Sequence, residues 1–169
     1  MKRDTTIILM GAYALVPLNG GDFAVIDTED AHIAAGHHWS RLESNKTTYA
    51  RRTIRIDGKQ KTLLLHREVL GVSAGVLIDH RSGDGLDCRK GNLRPATKQQ
   101  NNTNKRIKSN SATGVKGVRK HSLCNKFVAE IKPPNGKRIY LGLFSSIKDA
   151  AAAYAKASAQ HHGEFGRIA

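Results

Sequence analysis

The sequence predicts an α+β protein in two modules, and three observations lead there. Short segments of alternating apolar residues, bounded by glycine and asparagine turns, fill the first part of the chain. A stretch rich in Lys, Ser and Asn, residues 105–112, then interrupts it. Beyond that stretch three more alternating segments precede one long alanine-rich segment of helical period. The expected organisation is a module over residues 1–104, a linker over 105–112 and a module over 113–169. At 169 residues, two modules each bury only a thin core.

The first apolar segment, Ile7 to Val16, follows Met1-Lys2-Arg3-Asp4 and imitates a secretory leader, with Ala12-Tyr13-Ala14 as a mock cleavage site. Asp4 and Gly11 break that pattern and the apolar run is short, so a strand is expected instead. No run is long enough to span a membrane, and an intracellular, cytoplasmic protein is expected. Strands follow at Phe23 to Ile26, Tyr49 to Ile56 and Lys61 to Leu65. Asp57-Gly58 joins the last two as a hairpin turn, because both residues tolerate positive φ. Between them Asp30 to Gly36 reads as a short helix closed by its glycine, with Trp39 packing behind it. Arg51, Arg52 and Arg55 admit two readings, phosphate contacts or solvated arginines on an outer sheet face.

Charge narrows the partner. Lys and Arg number 28 against 14 acidic residues, a formal charge of +14. A polyanion is implied. Residues 1–104 carry net +4 and residues 105–169 net +10, so the second module is the stronger phosphate binder. The basic residues are interspersed with Gly, Asn and turn residues instead of lining an amphipathic helix, which favours nucleic acid over a membrane surface. Cys88 and Cys124 are far apart and form no Cys-x-x-Cys, so neither a disulfide framework nor a structural zinc site is read.

The chemistry concentrates in residues 66–104. His66-Arg67 opens a segment closed by Gly71, and Val76-Leu77-Ile78 leads into Asp79-His80. A Gly- and Asp-rich loop, Arg81 to Gly91, ends at Asn92-Leu93-Arg94-Pro95-Ala96-Thr97. Lys98 to Lys105 follows as a helix with Thr97 as its N-cap. Strand, loop, strand and helix in that order make a ββα unit able to gather ligands around one ion. Within the loop, Gly83-Asp84-Gly85-Leu86-Asp87 lacks the further ligands of a calcium site and reads as a turn. His37-His38 and His161-His162 have no spaced acidic partners and read as surface residues.

Asp79-His80, Asn92 twelve positions after the histidine and Asn101 nine after that resemble the HNH nuclease motif. His66-Arg67, Asn92-Leu93-Arg94 and Ala96-Thr97 match the phage and intron-encoded homing branch of that family, and with it a phage-infected or bacterial cell. The resemblance implies an endonuclease yielding 5′-phosphate and 3′-hydroxyl ends. Phosphodiester hydrolysis needs a deprotonated water and neutralisation of the phosphate charge, and a neutral imidazole near pH 7 takes the proton. His80 is the expected base. Asp79 and the carbonyl of Asn101 are the expected ligands of one Mg²⁺ or Mn²⁺ per site, ions that prefer hard oxygen. Asn92 resembles the central asparagine that braces the loop and orients the histidine. His66, Arg67 and Arg94 are possible supporting residues, and a packing role at a helix start serves His66 as well. Asp79 and His80 are neighbours that a regular strand sends to opposite faces, so the resemblance implies a twist or bulge there.

In the second module strands are expected at Val115 to Lys120, Lys126 to Lys132 and Arg138 to Leu143, with the turn Pro133-Pro134-Asn135-Gly136. Phe127, Ala129 and Ile131 alternate with Val128, Glu130 and Lys132, one face apolar and the other largely polar. Ser146 with Asp149 starts a helix that Gly163 ends, and its alanines allow close approach to the sheet. Gly117-Val118-Arg119, Phe127 to Ile131, Tyr140 to Phe144 and the helix together resemble an APETALA2-type DNA-binding domain over residues 113–168. The resemblance implies a sheet face that reads double-stranded DNA, with Arg119, Lys132, Arg138 and Tyr140 as contacts and His121 and Glu130 beside them. Phe127, Tyr140 and Lys132 depart from the plant pattern, so target specificity does not transfer.

The combined expectation is an N-terminal HNH (ββα-metal) nuclease on a short-strand scaffold with a C-terminal three-stranded antiparallel sheet packed on one helix. A monomer on DNA with one site nicks one strand, whereas dimerisation or sequential nicking cuts both. The alternatives are a non-catalytic DNA-binding regulator on a degenerate nuclease scaffold and, more distantly, an RNA-binding protein.

Overall fold

Glycine breaks what the sequence presents as one early strand. In the computed structural model, which describes residues 5–44, 47–107, 109–134 and 136–168, Gly11 takes φ +78°. It separates β1 (Ile8–Leu9) from β2 (Tyr13–Asn19), and the two pair antiparallel with Ile8 opposite Leu15. The basic start of the leader-like segment, Lys108 of the expected linker and Asn135 of the expected turn lie outside the described residues.

The architecture is α+β, with several largely antiparallel sheets and a few helices. The chain divides into two compact units, Met1–Ala96 and Thr97–Ala169. In the first, β2 pairs with β3 (Phe23–Asp27) and, in parallel, with β4 (Trp39–Ser44). The sheet continues through β5 (Thr47–Ile56) to β6 (Lys59–Leu64). Asp57 and Gly58 turn between them with φ of 49° and 74°, the backbone their side chains permit. A 3₁₀ turn, Thr28–Asp30, runs into α1 (Ala31–Ala34). Trp39 is buried behind it and donates its indole N–H to Ala34 O at 3.1 Å, so its polar tip is satisfied. The core gathers Ala14, Val16, Leu18, Ile26, Trp39, Leu65 and Val69. α2 (Leu65–Leu70) closes on Gly71 at φ +61°.

Of the basic sheet residues, Arg52 pairs with the Glu68 carboxylate at 2.9 Å and lies 5.6 Å from the centre of the Trp39 ring. It braces the scaffold. Arg55 is exposed.

The first unit ends with a two-stranded ribbon, β7 (Ile78–His80) and β8 (Leu93–Pro95). The helix that follows, α3 (Lys98–Asn104), belongs to the second unit, so the division falls before it instead of at residue 104. Hydrogen bonding gives the reason. Lys116 Nζ donates to Thr103 O at 2.6 Å, Arg167 Nη1 donates to Asn104 O at 3.4 Å, and Asn104 is buried. Thr97 caps α3 reciprocally with Gln100.

The rest of the second unit is an antiparallel sheet in the order β11 (Ile139–Phe144), β10 (Phe127–Ile131), β9 (Val118–Lys120), covered by α4 (Ile147–His162). Ser146 caps α4 by accepting from Asp149 N at 3.1 Å. Ala129 and Ile131 pack against Ala150, Tyr154 and Ala157, with Phe127 at the margin. Gly117 is required: a Cβ there would stand 2.2 Å from the Tyr154 ring, and its φ is +66°. A bulge between Ala129 and Glu130 sets Glu130 opposite Tyr140.

Candidate functional site

In the first unit the ribbon runs in regular register, Ile78 opposite Pro95, Asp79 opposite Arg94 and His80 opposite Leu93. No register shift interrupts it, so of the twist or bulge expected there the bulge is not formed. The neighbours therefore meet different partners, as a regular pleat requires. Asp79, 2% exposed, accepts from Arg94 Nε at 2.8 Å and Nη2 at 2.7 Å on the same oxygen, Oδ2. Both residues are buried, which makes this a desolvated ion pair whose halves depend on one another.

His80 lies at the end of β7 and is 6% exposed. Its ring centre is 5.0 Å from that of His66 in an edge-on arrangement and 5.7 Å from that of Tyr49. Tyr49 also sits 5.4 Å from His66. Burial pushes the His80 imidazole below its ordinary value, against the opposing pull of the Asp79, Asp84 and Asp87 carboxylates. Burial does the same to His66, aided by the charges of His80 and Arg67, and takes it down to about 3. Both rings are neutral at neutral pH, the form in which an imidazole accepts a proton.

The loop after His80 is held by the Asn92 side chain. Its Oδ1 accepts from Ser82 N at 2.8 Å and its Nδ2 donates to Asp87 O at 2.7 Å, which ties the two ends of the loop together. The loop is also fastened to β3, where Val25 N donates to Leu86 O at 2.8 Å and Cys88 N to Val25 O at 2.7 Å. Asp84 accepts from Leu86 N, and Asp87 pairs with Arg89, which holds its carboxyl below the usual range. Gly85 is needed, because a Cβ would stand 2.4 Å from Thr48 O. A cavity of about 420 Å³ opens beside Asn92, lined by Asp27, Arg81, Ser82, Asp87 and Arg89.

Of the other sequence candidates, His66 joins His80, whereas Arg67 is engaged elsewhere. Its guanidinium donates to Ser73 O at 2.8 Å and Val76 O at 2.7 Å, fixing the segment that leads into β7. Asn101 lies on α3 in the second unit. Two residues of the cluster escaped the sequence reading. Tyr49 carries no motif, being one position of an alternating strand. Cys88 was set aside because its spacing matches no metal pattern, yet it is fully buried and joins His66 and His80.

In the second unit the outer sheet face is organised by Glu130. Its carboxylate takes Arg138 at 2.8 Å and stands 3.6 Å from Arg119 Nε, so one acid spaces two guanidiniums. Their side chains remain 65% and 56% exposed. Tyr140, across the strand from Glu130, is 62% exposed. Val128 alternates onto this face and is buried, flanked across the sheet by Arg119 and Leu143. Lys132 is exposed just beyond β10, and with Lys116, Arg138 and His162 it lines a cavity of about 300 Å³. His121 Nδ1 accepts from Leu123 N, which shapes the turn after β9. Among the described residues no helix is long and apolar enough to cross a membrane.

No protein-family model matches the chain. Sixty of its residues are 40% identical to Dehydration-responsive element-binding protein 2A of Arabidopsis thaliana. The match spans 35% of this chain and 18% of that protein, so the likeness concerns one module. It supports an APETALA2-type domain at the C-terminal end of this chain.

Proposed function

We propose that this chain is an HNH-type, metal-dependent DNA endonuclease whose second unit binds double-stranded DNA. What supports the nuclease reading is the setting of His80: a neutral, desolvated imidazole beside a loop that Asn92 ties at both ends. In the proposed reaction His80 takes a proton from water. The water oxygen bonds to phosphorus as the bond to the 3′-oxygen breaks, and the departing oxygen takes a proton from solvent, leaving 5′-phosphate and 3′-hydroxyl ends. Tyr49 and His66 pack on the His80 ring and hold its orientation.

Mg²⁺ or Mn²⁺ would supply charge neutralisation at the phosphate and the departing oxygen. Of the ligands that the resemblance assigns, Asp79 belongs to the first unit and offers the hard carboxylate oxygen that such an ion prefers. Arg94, bound to Asp79 Oδ2, supplies the positive charge that the buried carboxylate needs. DNA binding is read from the outer face of the second unit, where Arg119, Arg138 and Tyr140 present exposed donors and an aromatic ring and Lys132 stands at the edge. The name of the Arabidopsis relative, an element-binding protein, agrees with it. The test is a supercoiled plasmid incubated with the protein and Mg²⁺ or Mn²⁺, expected to become open circles and to stay supercoiled in chelator. Persistent supercoiling with either ion overturns the nuclease reading.

A second reading, a DNA-binding regulator without catalysis, draws on the burial of Asp79 and His80 and on the Asp79–Arg94 pair. It is selected if the protein retards a specific duplex yet never nicks it.

A further inference from the structure

We infer that His66, His80 and Cys88 form a binding site for a thiophilic transition ion of the Zn²⁺ class, and that this ion silences the nuclease by occupying the histidine that serves as its base. The binding half of the inference stands on geometry alone, whereas the silencing half rests on the nuclease reading.

One nitrogen of each imidazole and the Cys88 sulfur lie within 4.8 Å of one another. All three residues are buried. Around a tetrahedral ion with ordinary Zn–N and Zn–S bonds, donors stand ~3.3–3.6 Å apart, so the cluster closes by about an ångström. Two imidazoles and a thiolate are the donors that borderline and soft ions select, and they are poor donors for Mg²⁺. Three protein ligands leave a fourth position for water.

A purely structural cluster explains less. His66 Nδ1 is buried with no hydrogen-bond partner among the described residues, an arrangement that costs free energy unless something occupies it. Among the described residues the hydrogen-bond contact of the Cys88 sulfur is a long one, 3.8 Å, to Gly85 O. The backbone holds each donor in place: His66 at the start of α2, His80 at the end of β7, and Cys88 by its N–H to Val25 O on β3. Binding exchanges the thiol proton for the metal. The Cys88 S–H bond breaks, the sulfur's electron pair goes to the ion, and one proton leaves to solvent.

The experiment titrates metal-free, full-length protein with Co²⁺, a spectroscopic stand-in for Zn²⁺. One equivalent is expected to give the visible absorption of a tetrahedral site and a thiolate-to-cobalt charge-transfer band, both erased by Zn²⁺, with one proton released per ion. Even outer partners of a metal site are worth about 10–100-fold in affinity, so Cys88→Ala should weaken Co²⁺ binding by at least ~100-fold and abolish the charge-transfer band. Cys124→Ala should leave both unchanged. Absence of a charge-transfer band in the wild type, which needs no variant to fold, overturns the site, as does a band that follows Cys124. Stoichiometric Zn²⁺ is expected to stop Mg²⁺-supported nicking by wild-type protein and to spare Cys88→Ala. Nicking unaffected by Zn²⁺ in the wild type overturns the silencing. A plasmid never nicked at all overturns the nuclease reading and the silencing with it, while the cobalt spectrum still decides the site.

Discussion

The two units place their charged groups in opposite environments. In the first, Asp79, His80 and Arg94 are buried, the carboxylate and the guanidinium paired with each other and the imidazole packed against His66. In the second, Arg119, Arg138 and Tyr140 stand out from the sheet, and a single carboxylate keeps the guanidiniums apart. Desolvation strengthens electrostatic effects and shifts proton affinity, which suits bond breaking. Exposure keeps affinity dependent on salt and makes contacts easy to form and release, which suits scanning a polyanion. On the proposed reading, the first unit holds a buried reactive centre and the second an open recognition face.

The largest effect that would break this comparison is chemical. General-base catalysis contributes ~10²–10⁴-fold, so His80→Ala should lower the nicking rate by that factor while duplex affinity holds. Equal loss of binding in a gel-shift measurement would mean that the two roles are not separated. Next in size is the buried ion pair. Removing one partner of such a pair costs ~3–5 kcal/mol, so Arg94→Leu should lower the denaturant midpoint of the first unit sharply. The half-buried Glu130, whose arginine partners are exposed, sharpens the contrast, because Glu130→Gln should change stability by less than ~1 kcal/mol.

Acid should also separate the units. His66 is held near 3 against an ordinary 6.5, so as the pH falls the unfolded chain takes up this proton first. The stability tied to His66 is therefore fully present above pH 6.5 and lost progressively towards about 3. His66→Gln should flatten the decline measured by denaturant titration across that window, and an unchanged slope would show that the buried ring is not its source. The last test concerns the outer sheet face of the second unit. Arg119→Ala or Arg138→Ala should cost ~1–3 kcal/mol on a preferred duplex if the side chain reads a base, and an equal loss on a scrambled duplex if it meets only phosphate. Retention of wild-type affinity and specificity by both variants would remove this face from the interface.

Much of this was legible from local pattern. Asp57-Gly58 marks its hairpin, Ser146 and Thr97 mark helix starts, and alternation in Phe127 to Ile131 separates the face packed on the helix from the face left open. These signals survive because each depends on residues a few positions apart, whose backbone preferences and period are set before the chain folds. Gly11 shows the limit: the same apolar run reads as one strand or as two, and only the antiparallel pairing of Ile8 with Leu15 decides it.

By itself, the sequence determined that this chain is a strongly basic α+β protein, and it named His80, Asn92, Arg119 and Arg138 as residues to watch. The tertiary structure decided which groups share a neighbourhood. Asp79 meets Arg94 across a ribbon, His80 meets His66 and Tyr49 from two other elements, and Cys88 enters that cluster through a loop pinned to β3. It also gave the helix Lys98–Asn104 to the second unit, through hydrogen bonds to Lys116 and Arg167. Such meetings join residues far apart in the chain. Local propensity carries no record of them, because it is the burial of a shared core that brings the elements together.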